Sequence, residues 1–187
     1  MKRIDRYSKI ENKYRHTTRL RGYDYSHRGL YMITIVTANR DCLLGDISYG
    51  RMELSDYGRI VQKCLLEIPE HFPKCYVHEY VIMPNHLHVL LELIWDYTEA
   101  DGKVVQKDPN VGNFLIGPSK TIGSIVRGLK VGVTKEIGYS IFQKNYYDNI
   151  IPSRERCQIV RNYIAHNVEE WIKDRFYSEE SRKRSGE

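Results

Sequence analysis

Residues 76–94 constrain the fold more than any other stretch, because they read as two strands separated by a single break, Pro84-Asn85. Side chains two apart on a strand share a face. In His86-Leu87-His88-Val89-Leu90-Leu91-Glu92-Leu93, therefore, Leu87, Val89, Leu91 and Leu93 turn to a core while His86 and His88 point the other way. Two adjacent antiparallel strands with one apolar face need helices to cover that face.

The remaining pattern supplies such elements. Residues 30–37 are β-branched and aromatic, opened by Gly29 and closed by Ala38-Asn39-Arg40, and read as a strand. Residues 43–49, broken by Gly45, are expected as its short antiparallel partner across a hairpin. Helical spacing then runs from Leu54-Ser55-Asp56 through Ile60, Val61, Cys64, Leu65 and Ile68, stopping before Pro69. Residues 97–117 are rich in Asp, Gly, Asn and Pro and read as a loop. A second helical pattern follows through Ile122, Ile125, Val126, Leu129, Val133 and Ile137, with Ser119 as the expected N-cap. Residues 142–151 suit a strand or extended segment, and Pro152-Ser153 opens a last helix carrying Cys157, Val160, Ile164, Val168 and Trp171. The order β(β)-α-β-β-α-β-α predicts an α+β, ferredoxin-like antiparallel sheet with helices packed on one face.

At 187 residues the chain suits one domain plus tails. It has no apolar run near the roughly 20 residues of a membrane span and no apolar stretch behind its first residues, so neither a spanning segment nor a signal peptide is expected. Cys42, Cys64, Cys75 and Cys157 form no C-x-x-C pair, which argues against structural zinc or a disulfide framework and suits a reducing cytoplasm. Charge is concentrated at the start. Residues 1–21 carry a net +6, against +5 for the whole chain. Such an arm is either a solvated terminus or a polyanion-binding segment, and the interleaved Tyr7, Tyr14, Tyr23 and Tyr25 favour the second, since aromatic rings among cations stack on unpaired bases.

Two groups of residues could carry chemistry. His86 and His88 on one strand face either sit partly buried, satisfied by neighbours, or converge on one divalent ion. Tyr163 and Asn167, four apart, share a face of the last helix beside its apolar stripe. Tyrosines on helices mostly pack, and Tyr146 and Tyr147 are equally visible.

Together these segments resemble a known family. Pro84-Asn85-His86-Leu87-His88-Val89-Leu90 is similar to the REP-associated tyrosine transposases. So are Arg19-Leu20-Arg21-Gly22-Tyr23-Asp24-Tyr25 leading into Tyr31-Met32-Ile33-Thr34-Ile35, Ser124-Ile125-Val126-Arg127-Gly128-Leu129-Lys130, Gln143-Lys144-Asn145-Tyr146-Tyr147-Asp148, and Asn162-Tyr163-Ile164. The resemblance runs in order over residues 19–173. These proteins are similar to the single-tyrosine HUH insertion-sequence transposases, named for a His, bulky hydrophobic, His motif, here His86-Leu87-His88. The resemblance implies a ferredoxin-like domain that cleaves and rejoins single-stranded DNA beside imperfect hairpins. It implies Tyr163 as the nucleophile and His86, His88 and Asn167 as ligands of a divalent metal, Mg²⁺ or Mn²⁺. DNA contacts are expected from Arg19, Arg21, Tyr23, Arg127, Lys130 and Lys144. The expected organisation is a basic arm at 1–18, the catalytic domain at 19–173 and a polar tail at 174–187, working as a monomer or homodimer in the bacterial cytoplasm and nucleoid.

The chemistry suits these residue types. A phenol with a pKa near 10 is a weak nucleophile at neutral pH and needs a Lewis acid on the phosphate it attacks. Exchange of one phosphodiester for another conserves bond energy, so no nucleotide cofactor is expected, and no G-x-x-x-x-G-K-[ST] loop is present. The chain departs from the family at Val168, where proline commonly follows the asparagine. Phe142, Asn149 and Pro152 stand where many members have Trp, His and Arg. Two other readings compete: a module that holds hairpins or single strands without cutting them, and a hydrolase in which Glu79 or Glu92 joins the histidines to activate water.

Overall fold

In the computed structural model, which describes residues 23–94, 121–177 and 179, the chain starts with β1 (Gly29–Val36) and a small ribbon, β2 (Gly45–Ser48) and β3 (Arg51–Leu54). There follow α1 (Asp56–Leu66), the short α2 (Ile68–His71), β4 (Cys75–Met83), β5 (His86–Leu93), α3 (Ile122–Ile137), β6 (Tyr147–Ile151) and α4 (Arg154–His166). A 3-10 turn, Trp171–Lys173, closes the described chain. The main sheet is ordered β4-β5-β1-β6, every pair antiparallel. With α1 and α3 as crossovers, this is the βαββαβ plan of the ferredoxin-like sandwich. No helix among the described residues is long and apolar enough to cross a membrane. The expected loop at 97–117 and the basic arm lie outside the described residues.

The period-2 pattern divides the sheet into two faces. Tyr31, Ile33 and Ile35 of β1 and Leu87, Val89, Leu91 and Leu93 of β5 form the main core with Val61, Cys64 and Leu65 of α1 and Ile125, Leu129 and Val133 of α3. On the opposite face Leu90, Leu30, Met32, Val81 and Ile151 pack against Cys157, Val160 and Ile164 of α4. The two crossover helices thus share one face, as expected, and the last helix lies on the other, which is also the face of His86 and His88.

Caps explain the helix starts. Ser55 Oγ accepts from the Gly58 amide at 3.1 Å, and Ser153 Oγ accepts from the Arg156 amide at 3.2 Å. For α3 the cap is Thr121, not Ser119: Thr121 Oγ1 accepts from the Ser124 amide while Ser124 Oγ accepts from the Thr121 amide, a reciprocal capping box.

One strand expectation is corrected. The segment at 43–49 does not pair with β1, because both edges of β1 are taken by β5 and β6. Its residues 45–48 fold instead onto β3. Gly45 permits that pairing, since its φ is +146° and a Cβ there would lie 2.0 Å from the Glu53 carbonyl oxygen. Residues 142–151, expected as a strand or extended segment, form a strand over Tyr147–Ile151, with Phe142 making an isolated bridge to Thr37 before it. The carbonyls of Gln143, Lys144 and Asn145 all turn to the Lys130 ammonium, at 2.8, 3.3 and 3.0 Å, so continuous ladder pairing starts at Tyr147. Packing also continues past Lys173, into the expected tail, where the Phe176 ring is buried.

Candidate metal and tyrosine site

Register places the first contact. Thr34 on β1 lies opposite His88 on β5, and its hydroxyl is 2.7 Å from His88 Nδ1. Asn85, in the turn between β4 and β5, is wholly buried and sets the second imidazole. Its amide nitrogen donates to the carbonyls of Arg40 at 3.0 Å and Phe176 at 2.8 Å, so its Oδ1 is left to accept from His86 Nδ1 at 2.9 Å. The proton of neutral His86 is therefore on Nδ1, and its lone pair is on Nε2. That Nε2 lies 3.1 Å from His88 Nε2.

Helix α4 adds Tyr163, whose hydroxyl lies 3.1 Å from His88 Nε2 and 3.4 Å from Asp174 Oδ2. Asp174 follows the 3-10 turn, with its Oδ1 accepting from the Phe176 amide at 2.7 Å and its Oδ2 3.9 Å from His86 Nε2. Nitrogen and oxygen atoms of His86, His88 and Asp174 lie within 4.8 Å of one another. Asn167, one turn beyond Tyr163, is 3% exposed, and its Oδ1 has no hydrogen-bond partner. Asn167 also hydrogen-bonds the Tyr163 phenol, so its orphaned buried carbonyl is a spare oxygen donor next to the tyrosine. Two nitrogens with a carboxylate and an amide oxygen suit a divalent cation of intermediate hardness.

Electrostatics agree with that use. Burial pushes His86 well below the ordinary imidazole value, with His88 and Arg175 adding to the shift. Burial, helped by Arg175, brings His88 down to about 3. Both rings are therefore neutral near pH 7, the form that ligates metal. Burial and the Asp174 charge raise the Tyr163 phenol above its ordinary value, while the neighbouring Asn167 amide pulls it down. A cleft of about 470 Å³ opens beside this phenol, between β6 and α4.

Of the expected site residues, His86, His88, Tyr163 and Asn167 come together. The others stand apart. Arg127 is exposed on α3, across the sheet from the histidines, and Lys144 is exposed just before β6. Lys130, whose ammonium burial lowers to about 8, is occupied by its three carbonyls. Tyr23 packs edge-on against Tyr25 at 5.0 Å between ring centres, and its hydroxyl meets that of Tyr31. Arg19 and Arg21 lie outside the described residues. Neither acid of the hydrolase reading joins the cluster: Glu92 pairs with His78 at 2.6 Å and Glu79 with Arg161 at 3.2 Å. Two residues escaped the sequence reading. Asn85 read only as a turn former, and Asp174 carries no local signal, because its place depends on the chain folding back after Trp171.

No protein-family model matches the chain. An uncharacterized protein of Haemophilus influenzae is 38% identical over 172 residues, spanning 88% of this chain and 93% of its own length. The solved structure of a REP-associated tyrosine transposase bound to a REP hairpin superposes with a TM-score of 0.56 at 17% identity, over 81% of this chain and 74% of that one. The second likeness is one of fold and the first one of descent: this chain has the sheet and helix arrangement of the REP-associated transposase, and it belongs to the family of the Haemophilus influenzae protein.

Proposed function

We propose that this chain is a metal-dependent single-strand DNA endonuclease and strand transferase of the HUH kind, acting beside DNA hairpins. Tyr163 is the nucleophile, and His86, His88 and Asn167, joined by Asp174, hold the ion. One observation carries the reading: the Tyr163 hydroxyl stands 3.1 Å from His88 Nε2, at the edge of a buried cluster of neutral imidazoles and oxygen donors. The motif resemblance over residues 19–173 and the hairpin carried by the fold neighbour support DNA as the substrate. The basic arm at 1–18 would then grip the hairpin phosphates, and deleting it should flatten the salt dependence of binding.

A bound Mg²⁺ or Mn²⁺ would polarise the scissile phosphate and favour ionisation of the phenol. Helix α4 holds the Tyr163 oxygen at the cluster, and the hydroxyl proton can leave to water, since the residue is 43% exposed. Attack on phosphorus forms a Tyr163–phosphate ester at the DNA 5′ end and breaks the bond to the preceding 3′ oxygen, which takes up a proton. A 3′ hydroxyl attacking that ester reverses the chemistry and joins strands.

The test is to incubate the protein with hairpin DNA from the flank of its own gene, carrying a single-stranded foot, with and without Mn²⁺. A denaturant-stable protein–DNA adduct is expected with metal and lost in Tyr163→Phe and His86→Ala. An adduct that persists in Tyr163→Phe refutes the nucleophile. Cut DNA without attached protein points to the hydrolase, and tight binding without cutting points to the binding module.

A further inference from the structure

The cleft beside Tyr163 is built as a slot. Its floor is Met32 and Thr34 of β1, its walls are Tyr147 of β6 and Ile159 of α4, and Arg156 and Arg175 also line it. Ile159 lies one turn before Tyr163 on the same helix face and is 55% exposed, while Tyr147, on an edge strand, is 36% exposed. Apolar side chains left open on both walls want a flat, largely apolar occupant. The Tyr147 ring is held for one: the Arg175 guanidinium lies 4.7 Å from its centre, and the buried Phe176 ring stands 5.9 Å away. Arg156 stands in the first turn of α4, about two turns, roughly 10 Å, before Tyr163. The slot thus has an aromatic wall, two cations and the proposed nucleophile at one end. Its volume, about 470 Å³, is that of a small-ligand site.

We infer that this slot takes the base of one nucleotide flanking the scissile phosphate, stacked on Tyr147, with Arg156 and Arg175 on neighbouring backbone phosphates. The inference rests on the strand-transferase reading and adds to it a place where cleavage-site sequence can be sensed. A base fits better than a peptide side chain, because the arginines match a polyanion and the slot is continuous with the attacking oxygen. Stacking on a ring held by packing costs little ordering on binding.

The test uses full-length protein in a Tyr163→Phe background, so that DNA binds without being cut, and the hairpin with its single-stranded foot, in Mn²⁺. 2-Aminopurine is placed at each foot position in turn. One position should show fluorescence quenching on binding, and Tyr147→Ala should abolish it while Tyr147→Phe keeps it. Removing the base at that position should weaken binding about tenfold in the Tyr147 protein and leave the Tyr147→Ala protein unchanged. Ile159→Ser, which leaves Tyr147 and its neighbours in place, should also reduce the quenching. Equal base-removal penalties with and without Tyr147 would overturn the inference, and if wild-type protein still forms its adduct the broader function stands. Absence of both hairpin binding and adduct would overturn the two together.

Discussion

Replacing Asn85 with alanine isolates the residue that orients His86. The side chain makes three hydrogen bonds, to Arg40 O at 3.0 Å, Phe176 O at 2.8 Å and His86 Nδ1 at 2.9 Å. Its backbone carbonyl, which accepts from the Thr37 amide and hydroxyl, is untouched by the substitution. At about 1 kcal/mol net per bond, Asn85→Ala should lower the unfolding free energy by about 3 kcal/mol. The loss releases the Phe176 carbonyl, and with it the ring that lies 4.7 Å from His86. It also removes the acceptor that keeps the His86 proton on Nδ1. Losing such an orienting partner typically weakens metal binding by about 10–100-fold. Urea unfolding in chelator reads the first effect and calorimetric titration of the folded protein with Mn²⁺ reads the second. Asn85→Asp keeps an acceptor for His86 but turns a second oxygen toward two carbonyls, so it should be the less stable of the two variants. A stability loss below about 1 kcal/mol together with wild-type Mn²⁺ affinity would refute the reasoning.

Two further outcomes follow from the same geometry. In chelator, stability should fall as pH drops from 7.5 to 5. His88 is held down to about 3 in the fold, so the unfolded chain takes up the proton first as pH passes 6.5. That linkage removes about 2 kcal/mol by pH 5, with His86 acting in the same direction. His88→Gln should flatten the slope measured by urea unfolding, and a wild-type protein equally stable at both pH values would refute the burial argument. Gly58→Ala should destabilise although alanine is the better helix former. A Cβ there would lie 2.1 Å from the Leu44 carbonyl oxygen, and the overpacking costs about 1–3 kcal/mol. Thermal unfolding at or above the wild-type midpoint would show that the Leu44 segment simply moves aside.

What could be read from the sequence follows how local each signal is. The hairpin β4-β5 was legible because Pro84-Asn85 interrupts a clean period-2 pattern, and α1 because Ser55 precedes its apolar stripe. The ribbon β2-β3 was not, because its pairing was decided at a distance, by β5 and β6 closing both edges of β1. Only the turn at Tyr49-Gly50, with φ of +51° and +73°, marks its own hairpin. The histidine pair was visible as a shared strand face, but its alliance with Tyr163 rested on family resemblance, since nothing in the spacing says which face the last helix covers.

The choice of face has a physical cause that reaches the site. Of the apolar positions on α4, only Val160 and Ile164 are buried, too narrow a stripe to compete for the main core already filled by α1 and α3. It fits the smaller apolar patch on the other face, made by Leu30, Met32, Val81, Leu90 and Ile151. Leu90 and His88 are neighbours on that face of β5, so a helix seated on the patch brings the residue before Ile164, which is Tyr163, to the imidazole. The chain then turns through Trp171 and returns Asp174 and Phe176 over His86. The small patch is therefore a positioning element as much as a core. Reducing it with Leu90→Ala should loosen Tyr163 from His88, and adduct formation should fall by more than hairpin affinity does.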